Sequence, residues 1–390
     1  MTAFVSGFSG VRLRQSKAAN TCGRKGVIRA VATPVQEVTR DVNRNPLAER
    51  PPFNLEAVKK AIPAHLWEKN LNKSIWYLVK DAVIVFGLAA AAVAINNPLA
   101  WLFYYFAQGT MMWALFVVGH DAGHGSFSNN TKLNNIFGHI AHGSILVPFH
   151  GWRISHRTHH GNHGHIDNDE SWYPVSESYY NESMDAPSKA VRYELPLVLI
   201  AYQIYLFRRT PGKEGSHFDP SCKLFKPSER NMILQSTASC LAMLGVLAGV
   251  GMKFGFMFVL NTYLIPHLIF CAWLVTVTYL HHTDASVPWF RDGEWTYLRG
   301  ALSTLDKDYG IFNKIHHDIG THVVHHMFPQ MPHYNIVEAT EYIKPVLGEY
   351  YQKPERSGFL PFHLVRDLIK SLRECRFVDD QGTVVFYRNK

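Results

Sequence analysis

Four apolar runs, each long enough to cross a bilayer, constrain this chain before any single residue does. They cover Trp76 to Ile95, Leu99 to Gly119, Met232 to Gly251 and Phe254 to Leu280. A hydrocarbon core asks for roughly 20 apolar residues per helical crossing. Lipid offers no partner to a backbone N–H or C=O, so each run is expected as a helix that satisfies its own backbone. The last run has room for a span plus a broken or re-entrant lead-in around Pro266. Two weaker stretches, Leu133 to Trp152 and Tyr193 to Phe207, contain histidine, proline or glutamate and are expected at the interface or packed beneath a polar cap. A chain of 390 residues with 47% hydrophobic content could bury a large soluble core, but apolar runs of this length overshoot a globular helix. The expected architecture is an all-α integral membrane protein with four transmembrane helices and a helical cap on one membrane face.

Three histidine clusters lie outside or at the ends of those runs: His120-Asp-Ala-Gly-His124, His156-Arg-Thr-His159-His160 and His322-Val-Val-His325-His326. On a helix, positions i, i+3 and i+4 share a face, so each cluster can aim its imidazoles at one point. One histidine pair alone would usually be an ordinary polar contact; three clusters with two identical spacings point to metal. Imidazole suits iron, zinc and copper, whereas magnesium and calcium prefer oxygen. Eight imidazoles exceed what one tetrahedral zinc accepts, which implies more than one ion.

The topology agrees with that reading. The first cluster begins where the second run ends, the second precedes the third run, and the third follows the fourth. Two runs separate the second cluster from the third, so all three fall on one membrane face. Basic residues crowd the same segments, among them Arg153, Arg157, Arg192, Arg208, Arg209 and Lys213, as the positive-inside tendency expects of a retained face. The net charge of +8 is therefore read as membrane orientation plus a basic leader. Nucleic-acid binding would want a compact basic module.

Other metal chemistries fail on spacing. There is no His-Glu-x-x-His, and Glu214-Gly-Ser-His217 sits alone in a Gly/Pro/Ser-rich stretch rather than paired on bundle helices. Cys22, Cys222, Cys240, Cys271 and Cys375 are odd in number and lack a C-x-x-C, so neither a zinc ribbon nor a disulfide framework is expected. Residues 1–36 carry Arg12, Arg14, Lys17, Arg24, Lys25 and Arg29 with no acidic residue before Glu37 and no secretory apolar segment. That composition is expected of an organelle transit peptide, with a disordered basic tail as the alternative. Residues 37–75, rich in proline, read as a lead-in, and residues 76–390 as the membrane domain.

The strings around the clusters carry a family likeness. Gly119-His120-Asp-Ala-Gly-His124-Gly-Ser-Phe127, Gly151-Trp-Arg-Ile-Ser-His156-Arg-Thr-His159-His160 and His316-His317-Asp-Ile-Gly-Thr-His322-Val-Val-His325-His326 closely resemble the histidine boxes of membrane fatty acid desaturases of the plant and algal omega-3 type. The flanking text matches too, in Asn162-His163-Gly164-His165, Asp169-Glu170-Ser171-Trp172, Trp295-Thr-Tyr-Leu-Arg299 and Phe328-Pro-Gln-Met-Pro-His333-Tyr334. The likeness runs from about Asn45 to the C-terminus. One departure is Ala122, where many omega-3 sequences have cysteine; it is not a ligand position.

The resemblance implies a cap that holds two non-haem irons, which use O2 and two electrons to convert diunsaturated 16- or 18-carbon acyl chains of membrane lipids to triunsaturated ones. It implies His120, His124, His156, His159, His160, His322, His325 and His326 as ligands, His282 as a ninth and His317 as a possible tenth. His139, His142, His150, His163, His165, His267, His281, His316 and His333 are expected as supports or packing. Asp121, Asp169, Asp306 and Asp318 are expected as acceptors that fix imidazole tautomers. The aromatic run Trp101, Phe103, Tyr104, Tyr105, Phe106 and Trp113 either lines an acyl tunnel or faces lipid. The same boxes serve desaturases of omega-6 position and fatty acyl hydroxylases. A non-enzymatic membrane metal carrier would instead place its ligands inside the spans.

The leader, with this resemblance, suggests a chloroplast membrane, the endoplasmic reticulum being the alternative. These residues contain no cytochrome b5-like His-Pro-Gly-Gly, so electrons are expected from a separate protein. With the leader, that donor is expected to be ferredoxin, docking on a basic face around Arg153, Arg157, Arg208 and Arg209. Free cytochrome b5 is the alternative donor.

Overall fold

The computed structural model describes residues 45–193, 198–210 and 213–390; the expected transit peptide over residues 1–36 and Cys22 lie outside them. In chain order the helices are α1 (Leu55–Ala61), α2 (Leu71–Ile95), α3 (Pro98–His124), α4 (Thr131–Gly143), α5 (Phe149–Asn162), α6 (Ala186–Tyr193) and α7 (Ala201–Arg208). They continue with α8 (Arg230–Phe254), α9 (Phe256–Val259), α10 (Ile265–His282), α11 (Tyr297–Leu302), α12 (His322–Met327), α13 (His333–Leu347) and α14 (Phe362–Glu374). A two-residue antiparallel pairing joins β1 (Trp289–Phe290) to β2 (Val384–Val385).

Among the described residues, four helical stretches are long and apolar enough to cross a membrane: Leu71–Ile95, Pro98–His124, Pro227–Phe254 and Phe256–His282. They contain three of the expected runs whole and the fourth from Phe256 onward, Phe254 ending the preceding helix and Gly255 capping it. Asn70 and Asn97 cap α2 and α3 through side-chain oxygens that accept from Lys73 N and Leu99 N, filling donors a helix start leaves open. Neither weaker stretch forms a span. Leu133 to Trp152 is broken at Leu146, whose φ is +58°, and at Pro148. In Tyr193 to Phe207 the described helix α7 has only eight residues.

The central helix is α3, which packs on α2, α4, α5 and α10. Its buried Trp113, Phe116 and Val117 meet Phe270, Leu274 and Val277 of α10. Close approach is possible because Gly109 has no Cβ, which would collide with Ile269 and the Pro266 carbonyl. By contrast α2 and α8 turn apolar side chains outward, Phe86 at 74% and Met252 at 86% exposure, as lipid-facing helices do.

The lead-in expected around Pro266 takes a specific form. Residues Leu260–Leu264 make a π-helical turn between α9 and α10. Proline lacks an N–H and its ring crowds the carbonyl four residues earlier, so a widened turn relieves the clash and frees that carbonyl. The carbonyl is that of Thr262, and the Tyr104 hydroxyl donates to it at 2.6 Å from α3. The carbonyl that the proline would leave open is thus satisfied within the span.

A second core lies in the cap. Leu47, Val58, Ile62 and Leu66 pack with Leu302, Val323, Met327, Ile336 and Leu347. The segment from Asn45 onward is thus part of the cap, and α2 runs continuously across residue 76, where the lead-in was expected to end. α3 and α10 finish on His124 and His282, and their ends meet the cap.

Candidate metal centre

Each histidine cluster sits on a helical turn. His120 and His124 occupy the last turn of α3, whose end is closed by Gly125 at φ +74°. A side chain would strain that left-handed turn. His156, His159 and His160 share the last turns of α5, His322, His325 and His326 make up half of α12, and His282 ends α10.

A six-residue helix does not stand alone in water, so α12 depends on its neighbours. At its start, Asp306 Oδ1 accepts from Val323 N at 2.8 Å and the other oxygen accepts from the Tyr351 hydroxyl at 2.7 Å. At its end, the Tyr297 hydroxyl donates to the His326 carbonyl at 2.5 Å. Asp306 was expected to fix an imidazole; it fixes the backbone of the helix that carries three of them. Asp318, expected in the same role, pairs with Lys314 at 2.7 Å.

The imidazoles converge in two adjoining sets. His120, His124, His156, His160 and His325 place one nitrogen each within 4.8 Å of all the others. His282 joins a triad with His322 and His326, and another with His159 and His163. Nitrogens face nitrogens: His325 Nε2 lies 3.0 Å from His120 Nε2 and 3.1 Å from His160 Nε2. Likewise His282 Nε2 lies 3.3 Å from His159 Nε2 and 3.2 Å from His322 Nε2. An imidazole nitrogen has one in-plane position, holding a proton or a lone pair. His325 Nε2 therefore cannot bond to two others at once, and a cation at the convergence resolves the crowding. Buried nitrogens without partners, His124 Nε2 and His326 Nε2 among them, point the same way. The donor set fits transition metal.

The surroundings prepare the imidazoles for that role. Burial, and then neighbouring imidazoles, push His156, His160, His325 and His326 well below the ordinary histidine range. They stay neutral, the form that binds metal. His159 Nδ1–H donates to Asp169 Oδ1 at 2.7 Å and His322 Nδ1–H to the Ile319 carbonyl at 3.2 Å, so both present Nε2. Burial alone would raise the Asp169 carboxyl, but His159 and His163 hold it below its usual range.

His317, implied by the resemblance as a tenth ligand, is placed elsewhere. It lies five residues before α12, with a left-handed backbone at φ +53°, which turns it off the helical face. Its Nε2 is 2.5 Å from Asp81 Oδ2 of α2, and its ring is 4.8 Å from His333. His333 in turn donates to Asp121 at 2.8 Å. These contacts tie the cap to α2 and α3. His163, expected as a support, faces the second imidazole set. Its position four residues after His159, continuing the α5 face, was the available signal.

A cavity of about 700 Å³ opens onto the imidazoles. Trp113, Phe116, Trp152 and Leu274 line it together with His120, His156, His159, His282 and His322. Of the aromatic run, Trp113 reaches this cavity, while Phe103 faces outward at 69% exposure. The expected basic docking face is smaller than the sequence suggested. Arg209 is held by both oxygens of the buried Glu170 at 2.7 and 2.5 Å, and Arg157 pairs with Glu229 at 2.9 Å.

Membrane-crossing helices that end together at a buried all-imidazole centre define a class of integral membrane metalloprotein. The chain belongs to the fatty acid desaturase family: the family model described as "Fatty acid desaturase" matches residues 96–356. A model for a domain of unknown function matches residues 24–90. Among similar curated proteins is an omega-3 fatty acid desaturase, chloroplastic, of Brassica napus, 56% identical over 91% of this chain and 88% of its own. Another is an sn-2 acyl-lipid omega-3 desaturase (ferredoxin), chloroplastic, of Arabidopsis thaliana, 56% identical over 87% of this chain and 76% of its own. An omega-3 fatty acid desaturase of the endoplasmic reticulum of Vigna radiata var. radiata is 52% identical over 87% of this chain and 89% of its own.

Proposed function

We propose that this chain is an acyl-lipid omega-3 desaturase of the chloroplast membrane, with two irons at the imidazole centre. One iron would be held by His120, His124, His156, His160 and His325, the other by His159, His282, His322 and His326. The observation that carries the reading is an apolar cavity, within the roughly 300–1,000 Å³ of ligand sites, whose wall includes imidazoles of both sets. The names of the plastid relatives support the omega-3 position and ferredoxin as donor.

When bound, the irons supply O2 activation, the chemistry needed to remove hydrogen from an unactivated methylene. The overall balance takes two hydrogens from adjacent methylenes. Two electrons from reduced ferredoxin and two protons complete the reduction of O2 to two waters. The protein's own part is placement and exclusion. Trp113, Phe116, Trp152 and Leu274 present an apolar wall that orients an acyl chain beside the imidazoles and keeps bulk water out. Asp169 and the Ile319 carbonyl hold His159 and His322 with Nε2 forward. Arg208, exposed beside the paired Arg209, remains available for an acidic donor protein.

Expression in a host that makes linoleate but no omega-3 acids, with gas chromatography of its lipids, tests the reaction. Appearance of the triunsaturated omega-3 acid is expected; a hydroxylated product, or a double bond at another position, would refute it. Isolated membranes given reduced ferredoxin should turn over. Turnover with cytochrome b5 alone, or a reticular reporter fused to residues 1–45, would move the protein to the endoplasmic reticulum, the location of the Vigna relative.

A further inference from the structure

We propose that His163 is a fifth imidazole donor to the second metal position, beside His159, His282, His322 and His326. The inference rests on the metal reading above and extends it to a residue outside the three histidine boxes.

Three observations converge on His163. Its Nδ1–H donates to Asp169 Oδ2 at 3.0 Å, while the other oxygen of the same carboxylate takes His159 at 2.7 Å. One carboxylate therefore sets both imidazoles in the same tautomer, each with the Nε2 lone pair forward. That Nε2 is buried and makes no well-formed hydrogen bond, although the Ser303 backbone lies close enough to the ring to interact with it. The ring centroid of His163 lies 4.5 Å from His282, 5.0 Å from His326 and 5.1 Å from His159. The same separations hold among the box residues, with His159 and His282 4.7 Å apart and His159 and His326 5.1 Å apart.

The backbone is fixed to match. Trp295 Nε1 donates to the His163 carbonyl at 2.9 Å. Gly300 lies against that carbonyl so closely that a Cβ would collide with it. The next residue, Gly164, takes φ +78° and its carbonyl accepts from Phe290 N at 2.8 Å. The ring is thus held from behind by Asp169 and from the main chain by two elements. Each metal position then faces five imidazoles, with Asp169 as the shared support of two in the second set.

The test uses purified full-length protein reconstituted with iron, as wild type, His163→Ala and the bulkier His163→Gln. Iron per chain and the Mössbauer spectrum are read with and without added imidazole. In both variants the first iron is expected to stay. The second should bind on the order of 100-fold more weakly, at the upper end of what loss of an outer partner causes. One of two Mössbauer doublets should fade, and free imidazole should restore it in His163→Ala. Two irons and an unchanged spectrum in both variants would overturn the assignment. So would joint loss of both irons without rescue, which marks a structural role. A wild-type protein without iron would instead sink the metal reading itself.

Discussion

Helices α5 and α12 carry the same H-x-x-H-H spacing and face the same centre, yet they are held in different ways. α5 has 14 residues and presents its histidines at the end of a helix with several turns behind them. α12 has six residues and is defined by Asp306, Tyr351 and Tyr297. A spacing code says which face imidazoles will share; it does not say what keeps the helix there. Where the helix is long, local hydrogen bonds suffice. Where it is one and a half turns, a buried carboxylate and two tyrosines replace them.

The largest expected effects ignore this difference. His159→Ala on α5 and His325→Ala on α12 should each abolish product and lower bound iron while protein remains in the membrane. Product analysis and iron content in the same preparations check this; an active His325→Ala would mean that the two helices are not equal partners in the site. Next comes Asp169→Asn, which loosens two imidazoles without removing either. Iron should bind about 10–100-fold more weakly, read by titration with a competing chelator.

The difference itself appears in stability. Asp306→Ala strands the Val323 N–H and the Tyr351 hydroxyl, and a buried unsatisfied group costs about 1–3 kcal/mol. Unfolding in detergent should shift accordingly, and an unchanged transition would mean that α12 needs no such clamp. Smaller still, Tyr297→Phe removes one hydrogen bond at the far end, worth about 0.5–1.5 kcal/mol. Arg157→Ala on α5 breaks an ion pair whose arginine is 57% exposed, and should cost no more than ~1 kcal/mol. If Arg157→Ala destabilises as much as Asp306→Ala, α5 leans on its neighbours as heavily as α12 does, and the contrast fails.

Sequence alone determined the four crossing helices and the meeting of the three boxes. Both follow from local rules: an apolar run of bilayer length must close its hydrogen bonds within itself, and an even number of crossings returns the chain to the same face. The box residues were legible for the same reason, since i, i+3 and i+4 fix a shared face without knowledge of any partner. What depended on long-range contact was not legible. His317 and His163 both lie near boxes; the i+4 spacing from His159 marks His163, but nothing local says which groups either ring will meet. Tertiary structure turns His317 toward Asp81, 236 positions away in sequence, and aims His163 at His282, which arrives from the end of α10. Asp169 and Asp306 looked alike as candidate supports, but one holds rings and the other a helix. Arg209 read as a surface charge until Glu170 took it inward. The tertiary fold decided these roles because a side chain's function rests on which groups meet it once the chain has folded back, and no spacing rule carries that information.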